Sequence, residues 1–428
     1  MVVGAGLAGA AAALALAQQG LRVQVLERAA QPAHGASGNA AALFHGSVNR
    51  DDGVHTRLLR AAAFAAAPLY SSAIASGCVA GQIDGLLQAA PADTALADLR
   101  ALATAQALPA DYVQAVGAAA ASAAAGVPIA GPGWLYAAGG WLAPAQWVAW
   151  ALAHPGIQLQ TGCAVDSLQR DGSAWLLGSG GHAVARAGVV VLATGGDVQT
   201  LLHPTPIAGA QPWPLRAVRG QVSVYTGPTA EPIAEPIAAP IAEPIAVPIT
   251  LPITVPSSTP NIAPLSLRLP VTGDGYVIPL PGALLFGATR QADDADVRLR
   301  AADHVHNLQR LQRLTRIDLS AQAAALQGRV GWRQETDDRL PIAGALPLWP
   351  MPAGTRCDQA RLLPRQQGLF VVSALGSRGL TLAPLLGRLV AAMATGAPWP
   401  LEQDLCDAID PGRWIVRAAR RSTGAQAV

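Results

Sequence analysis

The apolar positions of this chain change period several times, and each change marks an element. Val2 and Val3 are a short apolar pair running into glycines at Gly4, Gly6 and Gly9, and Ala10–Gln19 is a run of small apolar residues ended by Gly20. "LRVQVL" (Leu21–Leu26) then alternates apolar and polar positions, the period of a strand, and Glu27 follows it. The order predicts strand, glycine turn, helix and second strand, the start of a doubly wound sheet. Residues 57–125 are rich in alanine and leucine and predict helix. From 157 to 197 short β-rich pieces follow one another ("IQLQTGCAV", "SAWLLGS", "AGVVVLATGGD"). Further strands are expected at 217–226 and 276–289 and a helix near 299–327. A last strand, "GLFVVSAL", passes through "GSRG" into a helix over Leu380–Thr395.

One segment has no such period. From Glu231 a four-residue repeat places Pro232, Pro236, Pro240, Pro244, Pro248, Pro252 and Pro256 at regular intervals. Each proline fixes φ and removes an amide donor, so an extended, polyproline-like surface insertion is expected.

Composition removes several alternatives. Hydrophobic residues make up 51% of the 428, but alanine supplies much of that share and its runs are broken by Pro, Gly and Ser, so no membrane partner is expected. No charged leader precedes an apolar segment, and a cytoplasmic protein is the expectation. Cys78, Cys163, Cys357 and Cys406 are too scattered for a metal or disulfide framework. There is no lysine, which excludes a Walker phosphate loop, a pyridoxal Schiff base and a lysine nucleophile.

The glycine motif carries the first chemistry. Gly4 permits the tight turn, Gly6 lets backbone approach a pyrophosphate, and Gly9 lets helix and strand pack closely, while the helix N-terminus offers free amides to the phosphates. Glu27 stands at the spacing of a ribose-binding carboxylate, with Arg28 beside it. NAD and FAD share this fingerprint. Three further stretches favour FAD: the second turn Gly35–Asn39, with Ala36, Ser37, Gly38 and Asn39; the strand end at Ala193 and Gly195; and the strand-to-helix turn Gly376, Ser377, Gly379 and Leu380 near the far end of the chain. A cofactor touching all of them lies across a whole domain, as a flavin does.

These segments resemble the FAD-dependent amine oxidases of the D-amino-acid oxidase type. Within that group, "GASGNAAALFHG", "DDGVHTRLLRAAAF", "GGWLAPAQW", "RAVRGQVS", "GDGYVIP…LLFGATR", "ETDDRLPIAGALP" and "GSRGLTLAPLLGRLVA" are similar to the FAD-dependent half of the bifunctional tRNA 5-methylaminomethyl-2-thiouridine biosynthesis proteins. The resemblance implies an α/β fold, with a Rossmann-like FAD-binding domain (1–60, 139–205 and 328–428) and a mixed-sheet substrate domain (61–138 and 206–327) that contains the Pro-Ile-Ala repeat at 228–260. It implies non-covalent FAD, a tRNA substrate, molecular oxygen as electron acceptor, and a separate methyltransferase for the following step. The reaction implied is removal of the carboxymethyl group from 5-carboxymethylaminomethyl-uridine at the wobble position, giving 5-aminomethyl-uridine and glyoxylate. Oxidation of a free small amino acid such as glycine or sarcosine, and a non-catalytic remnant that keeps FAD, are the alternatives.

Arg333 falls where the resemblance puts a carboxylate-binding arginine; an ion pair with Asp337 or Asp338 is the structural alternative. Tyr276 would donate to the same carboxylate. Arg378 of "GSRG" would hold substrate or flavin, and His45 lies close enough to the second turn to line the site. Cys357 is the nearest candidate for covalent flavin attachment, in surroundings unlike an attachment motif. For RNA, Arg413, Arg417, Arg420 and Arg421 share one face of a helix at i, i+4 and i+7 spacing, a stripe that would track phosphates.

Overall fold

The computed structural model describes residues 1–202, 213–227 and 267–425. The proline repeat and its insertion boundaries at 228–260 lie outside the described residues. Two large sheets organise the rest. The first has six strands in the order Ile342–Pro347, Arg365–Ser373, Val190–Leu192, Val2–Val3, Val23–Leu26 and Ile157–Gln160. All neighbours in it are parallel except the first pair. Short as it is, Val2–Val3 sits inside the sheet, paired to Val25–Leu26 on one side and Val191–Leu192 on the other.

Two apolar helices cover this sheet. Leu7–Gln18 and Gly379–Thr395 pack against each other so closely that a Cβ on Gly387 would lie 2.6 Å from the backbone of Ala11. The alanines of the first helix allow this approach, and its positions from Leu7 to Ala17 are almost all buried. A three-stranded sheet, Ala42–Phe44, Gly140–Leu142 and Gly81–Gln82, closes one side, and the meander Ser167–Asp171, Ala174–Ser179, His182–Ala187 closes another.

The second sheet is mixed and has nine strands. Its spine is the long strand Leu215–Thr226, which pairs with Ala283–Gly287 and Gln291–Ala292 on one edge and with Gln327–Thr336 on the other. Gly275–Leu280, Val271–Gly273, Leu86–Ala89, Gly133–Tyr136 and Val113–Val116 complete it. The helix Ala301–Thr315 backs the sheet. It buries Leu308, Leu311 and Leu314 on the sheet, and a polar cluster at its start holds Arg219. Arg219 is fully buried and donates to Asp303, 2.6 Å away, and to the Asp296 and Arg298 carbonyls.

Three expectations need correction. Residues 57–125 are not continuous helix: Val54–Ala75, Leu96–Ala105 and Ala118–Ala125 are helical, but Leu86–Ala89 and Val113–Val116 are strands of the mixed sheet. Sheet pairing overrides alanine's helix preference there. The helix expected to reach 327 ends at Thr315, where Arg316 adopts a left-handed conformation (φ 60°). Contrary to the reading of the interrupted alanine runs, Val54–Ala75 is long and apolar enough to cross a membrane. It packs on Gly379–Thr395 and buries Leu58, Leu59, Ala62 and Ala66 in the same core, and its Arg57 and Arg60 pair with Asp404 and Asp52.

Candidate active site

Between the two large sheets runs a cleft of about 1190 Å³. It is lined by the first glycine turn, the second turn at 34–39, the strand end Ala193–Asp197, the turn 372–380, and one face of the mixed sheet. Of the residues expected to hold cofactor, all but Gly9 and Gly38 line it, and those two shape its wall.

The first turn forms because no other residue fits. Gly4 has φ +100°, and a Cβ there would lie 2.5 Å from the Ala193 carbonyl oxygen. A Cβ on Gly9 would lie 1.8 Å from the Gly4 carbonyl oxygen, so this glycine lets the helix start directly beneath the strand end. The Leu7 amide donates to Ser37 Oγ at 3.0 Å, which brings the second turn over the helix N-terminus. The Ser37 hydroxyl proton is left to donate into the cleft. Glu27 accepts the Ala5 amide (2.7 Å) on one oxygen and the Ala29 amide (2.9 Å) on the other. Each oxygen keeps a second lone pair for a ribose hydroxyl. Arg28 lies on the rim, paired at 2.8 Å with Asp197. Thr194, in the wall, has a buried Oγ with no protein partner among the described residues. A helix N-terminus, glycines that admit close backbone and an orphaned hydroxyl fit a dinucleotide, with Glu27 at the ribose.

The opposite end of the chain meets this cradle. Gly376 has φ +56°, its amide donates to the Gln334 carbonyl (3.0 Å), and Ser373 Oγ donates to the Gly195 carbonyl (2.9 Å). A Cβ on Gly379 would come within 3.2 Å of Leu7 Cδ1, so the two helix N-termini adjoin. Leu380 is buried at the cleft wall and accepts the Tyr70 hydroxyl through its carbonyl, while Ser377 is exposed.

Arg333 and Tyr276 come together on the mixed sheet. Burial lowers the Arg333 pKa, and Tyr276 and Glu335 act against that. Burial pushes the Tyr276 hydroxyl up to about 12, although Arg333 pulls the other way. Tyr276 is therefore a donor at neutral pH and Arg333 a cation. Arg333 Nη2 donates to the Thr289 carbonyl (2.9 Å), and its buried Nε has no partner among the described residues. Gly220 makes room for it, since a Cβ there would lie 2.7 Å from Nη2. The structural alternative fails: Asp338 pairs instead with Arg413 (2.9 Å) and Arg417 (2.7 Å). Burial alone would raise that carboxyl, yet the Arg413 hydrogen bonds and charge bring it down to about 2.

The same pairing corrects the arginine stripe. The spacing on the helix Arg413–Ala425 is as expected, but Arg413 is 3% exposed, donates to the Pro341 and Leu340 carbonyls, and lies over the Trp414 ring. Arg420 donates to the Asp358 carbonyl. Arg413 is a core ion pair and not a phosphate contact.

Two cleft residues carried little signal in the sequence. Arg329 donates to the His34 carbonyl (3.0 Å), the Gly35 carbonyl (2.7 Å) and Asn39 Oδ1 (3.1 Å), clamping the second turn onto the mixed sheet. A Cβ on Gly38 would lie 2.6 Å from Arg329 Nη2, which explains that glycine. Arg329→Met removes three charge-assisted hydrogen bonds, each worth roughly 1.5–3 kcal/mol where fully made. It is expected to weaken FAD binding at least tenfold in a flavin-fluorescence titration; an unchanged Kd would show that the clamp is dispensable. The other residue is His45, buried beside Arg378. Among the cysteines, Cys163 lines the cleft, whereas Cys357 packs near Ala360, Leu363 and Val416, away from the lining.

A parallel sheet with its ligand cleft at the strand ends, faced by a mixed sheet bearing cations, defines a dinucleotide-dependent α/β oxidoreductase. Residues 1–393 match the model of the FAD dependent oxidoreductase family, and the chain belongs to that family. It is 44% identical over 427 residues to the tRNA 5-methylaminomethyl-2-thiouridine biosynthesis bifunctional protein MnmC of Methylibium petroleiphilum, covering 97% of this chain and 60% of that one. To the protein of the same name from Paraburkholderia phytofirmans it is 36% identical, with 98% and 60% covered. The chain thus spans about three fifths of the length of these relatives. Among solved structures it is similar in fold to glycine oxidase from Geobacillus kaustophilus (TM-score 0.67, 21% identity, 96% of each chain). It is also similar to L-proline dehydrogenase from P. horikoshii (TM-score 0.69, 14% identity, 96% of each chain). FAD is the cofactor of the family.

Proposed function

We propose that this chain oxidises an N-carboxymethyl amine on the wobble uridine of tRNA, converting 5-carboxymethylaminomethyl-uridine to 5-aminomethyl-uridine and glyoxylate. The observation that carries the reading is Arg333 beside Tyr276: a half-buried guanidinium whose Nε is fully buried and which forms no ion pair among the described residues, next to a hydroxyl that stays protonated. Glu335 is near enough to act on Arg333 but is itself paired with Arg290, and a desolvated cation with no ion pair of its own is costly, a cost that a ligand carboxylate relieves. Arg333 and Tyr276 would both donate to that carboxylate and fix the adjacent CH2 toward the helix N-terminus at Gly379. Bound FAD supplies the two-electron acceptor for the hydride that leaves this carbon.

The amine nitrogen loses its proton to water, and the N–CH2 bond becomes an imine. Water then adds to the imine carbon and the C–N bond breaks, leaving the amine on the nucleoside and glyoxylate free. Holding and desolvating the substrate are the tasks of the protein, so no strong base is required. Molecular oxygen is the proposed final electron acceptor, and a methyltransferase acts on the product amine. The names of the relatives support tRNA as the carrier of the substrate.

The test is to incubate FAD-loaded protein with carboxymethylaminomethyl-modified tRNA and, separately, with free glycine and sarcosine, and to assay glyoxylate. Release from the tRNA is expected. Glyoxylate from the free amino acids alone would replace this reading with that of a small-amine oxidase, and none from any of them would leave FAD as a structural ligand.

A further inference from the structure

His45 follows the strand Ala42–Phe44, and Arg378 is the last residue before the helix Gly379–Thr395. They are 333 residues apart in sequence, yet Arg378 Nη1 lies 2.6 Å from His45 Nε2. A guanidinium has only donors, so Nε2 must accept. The imidazole then carries its proton on Nδ1 and is neutral. Burial, and after it the Arg378 charge, pushes the His45 pKa well below its ordinary value. The ring packs against Tyr136 with centroids 5.1 Å apart, and among the described residues its Nδ1 has no well-aligned partner, with the Gly46 carbonyl nearby. The His45 carbonyl accepts from the Thr381 hydroxyl (3.4 Å), so ring and backbone grip the same helix start.

Arg378 makes no ion pair among the described residues. Among the described residues, the ionisable group that acts on it is Tyr136, and those it acts on are His45 and His55, none of them a carboxylate. Burial lowers its pKa, but a guanidinium stays protonated. An acidic residue at position 45 would also hold Arg378, and would cancel its charge. A neutral imidazole holds it and leaves the charge available to the cleft that both residues line.

We infer that His45 is a positioning residue, which as a neutral acceptor fixes the Arg378 guanidinium as a second cationic anchor for the anionic ligand of this cleft. The inference rests on the reading that the cleft takes a carboxylate, and it adds a second cation to the Arg333–Tyr276 pair.

The test uses the FAD-loaded protein titrated with glycolate, a small carboxylate with no amine, followed by the change in flavin absorbance. His45→Leu removes the acceptor and is expected to weaken glycolate binding about tenfold. His45→Gln restores an acceptor oxygen and should stay within about threefold of the parent. His45→Glu keeps an acceptor but neutralises Arg378, and should bind as weakly as His45→Leu. FAD content is measured for each variant. In an Arg378→Met background, His45→Leu should add nothing, because it acts through Arg378. The inference is overturned if His45→Leu binds glycolate as the parent does, if the glutamine and leucine variants are equally weak, or if the two substitutions are additive. Arg333→Met runs in parallel. If it alone loses glycolate, the His45 inference fails and the carboxylate reading stands; if it binds glycolate normally, the Arg333 reading fails while the His45 series still reports on Arg378.

Discussion

Arg333→Met is expected to lower kcat/KM for the carboxymethylamine substrate by a hundred- to a thousandfold while FAD stays bound. Removing one side of a buried, hydrogen-bonded charge pair costs roughly 2–5 kcal/mol, much of it from leaving the other charge alone. Here the lone charge would be the substrate carboxylate. The protein itself should tolerate the change, because among the described residues Arg333 donates one hydrogen bond, to the Thr289 carbonyl, and forms no ion pair. The variant is therefore predicted to melt at the parental temperature within a few degrees and to keep its flavin spectrum. Arg333→Lys keeps the charge but loses the planar fork, and should recover only part of the activity. Tyr276→Phe removes one neutral donor and is expected to cost nearer tenfold. Steady-state kinetics with modified tRNA decide the matter. Parental kcat/KM in Arg333→Met would remove this residue from the site.

Gly9→Ala is the second large effect, and it concerns the cofactor. The added methyl group would lie 1.8 Å from the Gly4 carbonyl oxygen, an approach no flexible side chain can relieve because the obstacle is backbone. The helix Leu7–Gln18 would have to move off the strand end. Gly387 already brings the helix Gly379–Thr395 against the backbone of Ala11, so the helix has nowhere to go. A destabilisation of upwards of about 3 kcal/mol is expected, with loss of FAD. Gly20→Ala is the control. Gly20 also has positive φ (+84°), but nothing lies within 4 Å of its missing Cβ, so only the left-handed strain of roughly 1–2 kcal/mol applies. The ratio of flavin to protein absorbance and the melting temperature would separate the two. A yellow, stable Gly9→Ala protein would refute the packing argument.

The cofactor half was legible because its signals are local. Strand, glycine turn, helix, strand and carboxylate occupy the first 27 residues in an order that serves one purpose, and the turn at 376–379 repeats the device. The strand Gln327–Thr336 was not legible as a strand. It reads "QGRVGWRQET", is half-buried along nearly its whole length, and shows no alternation of apolar and polar positions. Its stability comes from Leu215–Thr226, more than 100 residues away in the chain. Arg333 and Tyr276, which both line the cleft, were suggested by the family resemblance and not by the sequence pattern. That pattern could not reveal Arg329 or the His45–Arg378 contact, where the partners are 290 or more residues apart. Arg413 shows the converse. Its helical spacing is right, yet Asp338, 75 residues earlier, draws it into the core.

The position of Val2–Val3 inside the six-stranded sheet bears on how the protein is made. Its neighbour Val190–Leu192 is itself bordered by Arg365–Ser373, and the helix beneath is sealed by Gly379–Thr395. A ribosome adding 5–20 residues per second reaches residue 395 roughly 20–80 s after the first strand leaves it. Through that interval the face of the alanine-rich first helix that meets Gly379–Thr395 is uncovered, and the nascent polypeptide must keep it out of aggregates until that later helix has been made.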